Sequence, residues 1–412
     1  MTAEIISIGD ELLIGQIVNT NASWMSRQLN LANVQIKYVS VVGDDGDDIR
    51  RSLDLAFSRV DVVLMTGGLG PTHDDITKKV VAEYFDSAEM VTDENVLAHV
   101  KALFQRRNIR MAPVNEEQAL VPKKATVLWN DYGTAPGLLF ERAGRYCAVM
   151  PGVPAEMQHL MTERVLPFLK SKTQNLVIRH RTIRTAGIGE SQLFEKLSPI
   201  AELEKFGKIA FLPHFFAVDV RVSVYENDAA AAEQRIRAAE EYILARVEKN
   251  VYGFDEDTIE SVIGRLLIEK KATLAIAESC TGGLVAHRIT NVSGCSQYFE
   301  RGIVTYSNAA KMQILGVPEE ILKQHGAVSE ECAKAMAAGV RRISGTTYGL
   351  ATTGIAGPTG GTEEKPVGLV WVGLATPGRI AAQKFLFTKA RLINKERFCQ
   401  MALNMLFREL KV

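Results

Sequence analysis

Along the first 170 positions, hydrophobic and polar residues switch between two periods. Short apolar runs of strand length occur at 4–9 (EIISIG), 34–42 (VQIKYVSVV), 61–68 (DVVLMTGG) and 146–152 (YCAVMPG). The segments 20–31, 47–58, 75–85, 93–107 and 155–170 read as the helices between and after them. Such alternation predicts a largely parallel, doubly wound sheet. The pattern changes at Ser171–Asn175, a short polar link. Residues 176–250 then read as a strand (LVIRHRTIRT), a helix at 188–198, two strands within 208–225 and an Ala- and Glu-rich helix at 228–248. GFDEDT at 253–258 is a second link. Beyond it Ile259, Val262, Ile263, Leu266 and Leu267 fall on one helical face, and Asp257 with Glu260 reads as an N-cap and its capping-box partner. The expected fold class is α/β and multidomain: a doubly wound domain at 1–170, a small α+β module at 176–250 and a second α/β domain at 255–412. At about 150 residues per domain, a chain of 412 residues has room for two or three.

Composition narrows the picture by exclusion. Lys+Arg and Asp+Glu both total 48, so net charge gives nucleic-acid binding no support. No apolar run reaches the roughly 18 residues of a membrane span, and the acidic, strand-like start MTAEIISIGDE reads as neither signal peptide nor anchor. The five cysteines are scattered without a CxxC pair, which fits reduced thiols in a cytoplasm and argues against a zinc knuckle.

Candidate chemistry gathers at strand ends in the last third. AESCTGG at 277–283 places hydroxyl and thiol groups on a strand-to-helix turn, after the apolar run Thr273–Ala277 and before a helix from Leu284. Ser279 is the first choice of nucleophile, Thr281 the second and Cys280 the third, since no histidine is placed to form the Cys280 thiolate. Thr281, Gly282 and Gly283 present backbone N–H groups at a helix start, where an anion is stabilised. VTYSNAAK at 304–311 ends another strand in Tyr306, Ser307 and Asn308, with Lys311 one turn into the next helix. Of the domain's two histidines, His287 and His325, neither lies in a strand-end motif, so Lys311 is the candidate base if burial lowers its pKa. Tyr306 can relay a proton or orient the lysine. GIAGPTGG at 354–361 follows the strand Tyr348–Thr353, and Gly354, Gly357, Gly360 and Gly361 let its backbone approach a phosphate, with Lys365 or Arg301 assisting. Three such strand ends are what a site at the carboxyl edge of an α/β sheet requires.

A second candidate site lies near the amino terminus. In TGGLGPTHDDIT (66–77), Gly67, Gly68, Gly70 and Thr72 form a turn at a helix start, suited to phosphate. Asp74 and Asp75 directly follow, with Asp10 and Asp44 at neighbouring strand ends. Carboxylates beside a phosphate site point to a divalent metal ion. Asp47 and Asp48 read instead as helix caps.

AESCTGG, FERGIVTYSNAAK (299–311), HGAVSEE (325–331) and GIAGPTGGTEEKPVG (354–368) together resemble the carboxyl-terminal domain of the CinA family, competence/damage-inducible protein A. Stand-alone members of that domain family are nicotinamide mononucleotide deamidases, so the resemblance implies hydrolysis of the nicotinamide carboxamide without a cofactor. It also implies that the 354–361 loop holds the nucleotide phosphate. IGDELL (8–13), VGDD (42–45), GGLGPTHDD, YGTAPG (132–137) and PGVPAEM (151–157) resemble the other half of the same family. That half has a molybdopterin-binding fold and is associated with metal-dependent hydrolysis of ADP-ribose to AMP and ribose 5-phosphate. Asp75 and Asp44 match acids proposed to act in its relatives. The middle module is similar to the family's KH-like domain, but the GXXG loop that clamps nucleic acid is absent, GIGE at 187–190 having different spacing. The resemblance further implies a homodimer, with the middle module as an interface. Two other readings stay open: a molybdopterin-binding enzyme, and a non-enzymatic partner in competence or DNA repair.

Overall fold

Alternate residues of three central strands, β1 (Thr2–Ile8), β3 (Val62–Thr66) and β8 (Arg145–Met150), enter two different cores. Ala3, Ile5, Val62, Leu64, Ala148 and Met150 belong to one. Ile6, Ile8, Val63, Met65, Cys147 and Val149 belong to the other. A strand covered on both faces shows a continuous apolar run instead of alternation, which is why these segments stand out in the sequence. The computed structural model describes residues 1–72, 75–172, 177–214, 217–388 and 390–411. It divides into two compact units, 1–179 with 223–235 and 180–222 with 236–412.

In the first unit the sheet order is β2 (Gln35–Val42), β1, β3, β8, β7 (Gly137–Arg142), β6 (Thr126–Leu128). The first four strands are parallel, and β7 and β6 add antiparallel. The helices are α1 (Asp10–Leu13), α2 (Thr20–Leu31), α3 (Gly46–Arg59), α4 (Thr77–Tyr84), α5 (Glu94–Arg106), α6 (Pro154–Leu160) and α7 (Leu166–Lys172); β4 (Met90–Thr92) and β5 (Leu120–Pro122) form a separate ribbon. The helix expected over 155–170 is interrupted by a π-turn at Met161–Val165. Pro167 offers no N–H to the carbonyl four residues earlier, so the turn ahead of it widens.

A four-stranded sheet follows, in the order β10 (Lys208–His214), β11 (Ala217–Glu226), β9 (Val177–Thr185), β12 (Val251–Phe254), with helices α8 (Glu190–Leu197), α9 (Ile200–Glu204) and α10 (Ala229–Val247). Of the polar link expected at 171–175, residues 173–175 lie outside the described residues.

The second unit carries a five-stranded sheet in the order β14 (Phe299–Val304), β13 (Leu274–Glu278), β15 (Tyr348–Gly354), β16 (Leu369–Ala375), β17 (Ile380–Leu386). β14, β13 and β15 are parallel; β16 and β17 run antiparallel. Leu274 and Ile276 pack in the core shared with α11 (Ile259–Glu269), α12 (Leu284–Thr290) and α16 (Arg391–Lys411). Ala275 and Ala277 pack on the other face, against α15 (Glu330–Ser344). The remaining helices are α13 (Asn308–Leu315) and α14 (Glu319–Gln324).

Two caps differ from expectation. Asp45, not Asp47 or Asp48, caps α3, its carboxylate accepting from the Asp47 and Asp48 N–H groups. Thr258, not Asp257, caps α11: its hydroxyl accepts from Ser261 N–H while the Ser261 side chain accepts from Thr258 N–H. Asp257 turns back to the Phe254 N–H and to Arg265, and Glu260 pairs with Arg288. Two arginines and an adjacent hydroxyl outcompete the expected pairing.

Candidate active site

The parallel strands β13, β14 and β15 end together, and their carboxyl ends carry the site. Immediately after β13, Ser279 donates its own N–H to Thr352 O of β15, fixing the nucleophile turn to the sheet. Glu278, only 1 % exposed, ends β13 and accepts from the N–H groups of Gly283, Val285 and Ala286. A buried carboxylate on the first N–H groups of α12 is favourable electrostatically, and it pins the turn between strand and helix. Gly282 and Gly283 adopt positive φ, 63° and 98°, as that tight turn requires.

Lys311 lies in the first turn of α13, whose N-cap Ser307 accepts from Ala310 N–H. It is 1 % exposed. Its Nζ is 3.1 Å from Ser279 Oγ, 2.9 Å from Thr305 O and 3.2 Å from Tyr306 O. No carboxylate is among these partners, and burial pushes the lysine pKa below its ordinary 10.5. A neutral amine has two hydrogens and one lone pair. In that neutral form, with both hydrogens on the two carbonyls, the lone pair faces the Ser279 hydroxyl.

The other two nucleophile candidates are disfavoured. Thr281 is fully buried, its hydroxyl 2.7 Å from that of Thr352. The Cys280 thiol is pushed up to about 12 by burial, so it holds its proton at neutral pH.

A cavity of about 260 Å³ opens on this pair. Ser279, Cys280, Tyr306, Asn308 and Lys311 line it, as do Gly354, Gly357 and Gly360 of the following loop. Among the described residues, the N–H groups of Ala356, Gly357, Thr359, Gly360 and Gly361 make no hydrogen bond within the chain. Several expected members are placed elsewhere. Thr281, Gly282, Gly283, Gly361, Lys365 and Arg301 are not among the lining residues. The Gly283 N–H is taken by Glu278, Lys365 Nζ donates to His325 O, and Arg301 pairs with its neighbour Glu300. Tyr306 holds Lys311 through its backbone carbonyl, while its hydroxyl accepts from Arg391. The Tyr306 carbonyl thus helps to hold the lysine, and its phenol is engaged by Arg391. Arg391, at the start of α16, was not singled out from the sequence. It lines the cavity and also donates to Gly357 O at 2.8 Å. No motif surrounds it, and only the fold brings it to the loop.

In the first unit, Asp10 and Asp44 meet at the ends of β1 and β2, each accepting the other's N–H, at 3.1 and 3.3 Å. Burial raises the Asp44 pKa above 3.8, and the charges of Asp10, Glu11 and Asp75 add to the effect. Asp75 is engaged locally, accepting from the N–H and hydroxyl of Thr72. Gly67 and Gly68 have φ of 117° and 62°, and a Cβ on either would meet Ile8 O or the Thr77 hydroxyl at about 2 Å. A Cβ on Gly70 would similarly strike the Asp75 carboxylate. The loop is thus built on bare backbone. The buried Thr77 hydroxyl, at the start of α4, has no partner among the described residues. Asp74 lies outside the described residues, and among those described no three Asp, Glu, His or Cys side chains converge as a metal-ligating group. An anionic pair with additional negative charge nearby suits a divalent cation that keeps much of its water.

In the middle module's GIGE turn, Gly187 has a φ of 66°, and a Cβ there would meet the Arg408 guanidinium at 2.3 Å. No helix among the described residues is long and apolar enough to cross a membrane.

These features belong to a three-part α/β chain with a serine–lysine site, and comparison with known proteins places it. Residues 256–410 match the CinA C-terminal domain, 4–171 a probable molybdopterin binding domain, and 180–253 the damage-inducible protein CinA KH domain. A CinA-like protein of Chloroherpeton thalassium is 45% identical, over 100% of this chain and 99% of its own. A putative competence-damage inducible protein of Caldicellulosiruptor bescii is 42% identical, over 98% of each. The solved structure of a competence/damage inducible protein from Agrobacterium tumefaciens is 36% identical, covering 38% of this chain and 98% of that one, with a TM-score of 0.36. The chain belongs to the CinA family.

Proposed function

We propose that the carboxyl-terminal domain, 255–412, is a serine–lysine amidase that converts nicotinamide mononucleotide and water to nicotinic acid mononucleotide and ammonia. The observation that carries this reading is the buried Lys311 amine, held by two carbonyls with its remaining valence toward Ser279. Lys311 takes the hydroxyl proton as Ser279 Oγ attacks the carboxamide carbon. The unpaired amides of the 356–361 loop are the donors available to the developing oxyanion. Lys311 then returns its proton to the departing nitrogen, which leaves as ammonia, and an ester to Ser279 remains. Water, deprotonated by the same amine, cleaves the ester. Arg391 supplies a fixed positive charge beside the glycine loop for the substrate phosphate.

For the amino-terminal domain, 1–170, the reading is hydrolysis of ADP-ribose to AMP and ribose 5-phosphate. Asp10 and Asp44 would hold a divalent cation, which when bound offsets phosphate charge. The Gly67–Gly70 turn and Thr72 would take the phosphates and Asp75 would order the loop through Thr72. The five cysteines are free, and the protein is read as cytoplasmic.

Ammonia release from nicotinamide mononucleotide tests the first reading. Ser279→Ala and Lys311→Ala should each lower turnover on the order of 1000-fold or more with the fold intact, and EDTA should have no effect. A fully active Ser279→Ala protein would remove the nucleophile assignment.

A further inference from the structure

The glycine loop after β15 is held from two sides, and the bonds to its carbonyls decide where its free N–H groups point. Ile355 pairs with the segment entering β16: its N–H donates to Leu369 O at 2.8 Å, and its carbonyl accepts from Gly368 N–H at 2.7 Å. The next two carbonyls turn to α16. Asn394 Nδ2 donates to Ala356 O at 3.0 Å, and Arg391 Nη1 donates to Gly357 O at 2.8 Å. A carbonyl can only accept, so it is the amide nitrogen of Asn394 that faces it. Arg391 and Asn394 stand three residues apart, on one helix face. Asn394 is fully buried, and so are Ala356 and Gly357. In a trans peptide the C=O and N–H point in opposite directions, so the Gly357 N–H points away from α16. That helix packs on one face of the sheet with Leu274 and Ile276, whereas α13, which carries Lys311, packs on the other with Ala275 and Ala277. The Gly357 N–H is thereby turned to the lysine's side of the sheet. It has no partner among the described residues, and a buried N–H is completed only by a ligand or water.

We infer that Asn394 is a positioning residue for the proposed amidase: by holding the Ala356 carbonyl, it aims the Gly357 N–H at the oxygen that becomes negative when Ser279 attacks. The inference rests on the serine–lysine reading and adds which amide is aimed and what aims it. As the bond from Ser279 Oγ to the carboxamide carbon forms, the π pair of the carbonyl moves onto its oxygen and the serine proton goes to Lys311. The Ala356 N–H, set by the bond between Gly368 and Ile355, is the second donor to that oxygen. Ala356 and Gly357 both line the cavity with Ser279 and Lys311. The next peptide offers nothing, since its nitrogen belongs to Pro358. A donor fixed in advance stabilises the oxyanion without reorganising, so its benefit appears in the transition state and not in substrate binding.

The test compares the full chain with Asn394→Leu, which keeps the approximate volume and removes the donor. The kcat for ammonia release from nicotinamide mononucleotide should fall about 10- to 100-fold, less than the loss when an oxyanion donor is deleted outright. Affinity for the same nucleotide, titrated calorimetrically in a Ser279→Ala background, should change by less than about 2-fold. A folded Asn394→Leu protein with wild-type kcat overturns the inference. So does a fall in affinity as large as the fall in kcat, which would make Asn394 part of the substrate-binding wall. If Asn394→Leu does not fold, Asn394→Asp decides. Its carboxyl can donate to Ala356 O only while protonated, so its turnover relative to wild type at the same pH should rise as the pH falls. A ratio independent of pH overturns the inference. A wild type that releases no ammonia removes instead the amidase reading beneath it.

Discussion

Lys311 Nζ is held by three oxygens, those of Ser279, Thr305 and Tyr306, with no carboxylate among them, and its burial has a cost elsewhere. Its folded pKa is depressed below 10.5, so in the window between the folded value and 10.5 the unfolded chain binds more protons. This residue's contribution therefore makes stability rise with pH through that window and fall as the solution is acidified. Lys311→Met, which keeps the volume and removes the charge, should raise stability at neutral pH by about 1 kcal/mol and flatten that slope, while abolishing turnover. Urea titrations at a series of pH values would measure it; an unchanged slope would mean that Lys311 is not the depressed group. In the active enzyme, the same depression makes the rate rise with pH through an apparent pKa below that of a free lysine. Lys311→Arg should be as inactive as Lys311→Ala, because a guanidinium remains charged and cannot take the serine proton. Ser279 and Lys311 were readable because they sit in strand-end motifs. Arg391 was not, because its position depends on how α16 returns to the 354–361 loop.

Among elements, the link from β13 to α12 matters most, and it shows how much of the fold the sequence discloses. Continuous apolar runs gave β1, β3, β8 and β13 their places, and apolar spacing gave α2 its observed span of Thr20–Leu31. Short elements such as β4, β5 and β6 escaped, since three residues are too few to carry a period. The exposed-looking AESCTGG turn did not reveal that Glu278 would be buried as the anchor of α12. That carboxylate accepts three N–H groups. Glu278→Ala should leave those donors without partners and destabilise the fold by at least about 2 kcal/mol. Glu278→Gln, with one carbonyl oxygen for three donors, should fall between. Thr258→Ala removes only a cap at the surface and should cost about 1 kcal/mol without touching turnover. Thermal unfolding of the three variants would rank them, and a Glu278→Ala protein as stable as Thr258→Ala would show that the buried anchor contributes little.

For the whole molecule, the question is whether the two proposed chemistries are independent. The motifs lie in separate compact units. The core beside the serine–lysine site is drawn from 259 to 410 apart from Ala186, and that of the amino-terminal sheet from 3 to 169. Each sheet thus carries its own hydrophobic support, and a fragment from about Asp255 onward should fold and keep the amidase, though without the pairing of Lys411 to the Glu248 and Val251 carbonyls. The full chain gives the sharper measurement. Asp44→Asn removes one carboxylate of the proposed cation site and should abolish AMP release from ADP-ribose with added divalent cation, while ammonia release from nicotinamide mononucleotide continues unchanged. Asp75→Asn should also impair AMP release, since its carboxylate fastens Thr72 in the glycine turn. Ser279→Ala should do the opposite. The cation also provides a readout apart from turnover: it should raise the melting temperature of the wild type, by relieving repulsion among the acids around Asp44, and should not do so in Asp44→Asn. If one of these substitutions removed both activities from a folded protein, the two units would have to share a site, and the reading of two independent heads would be abandoned.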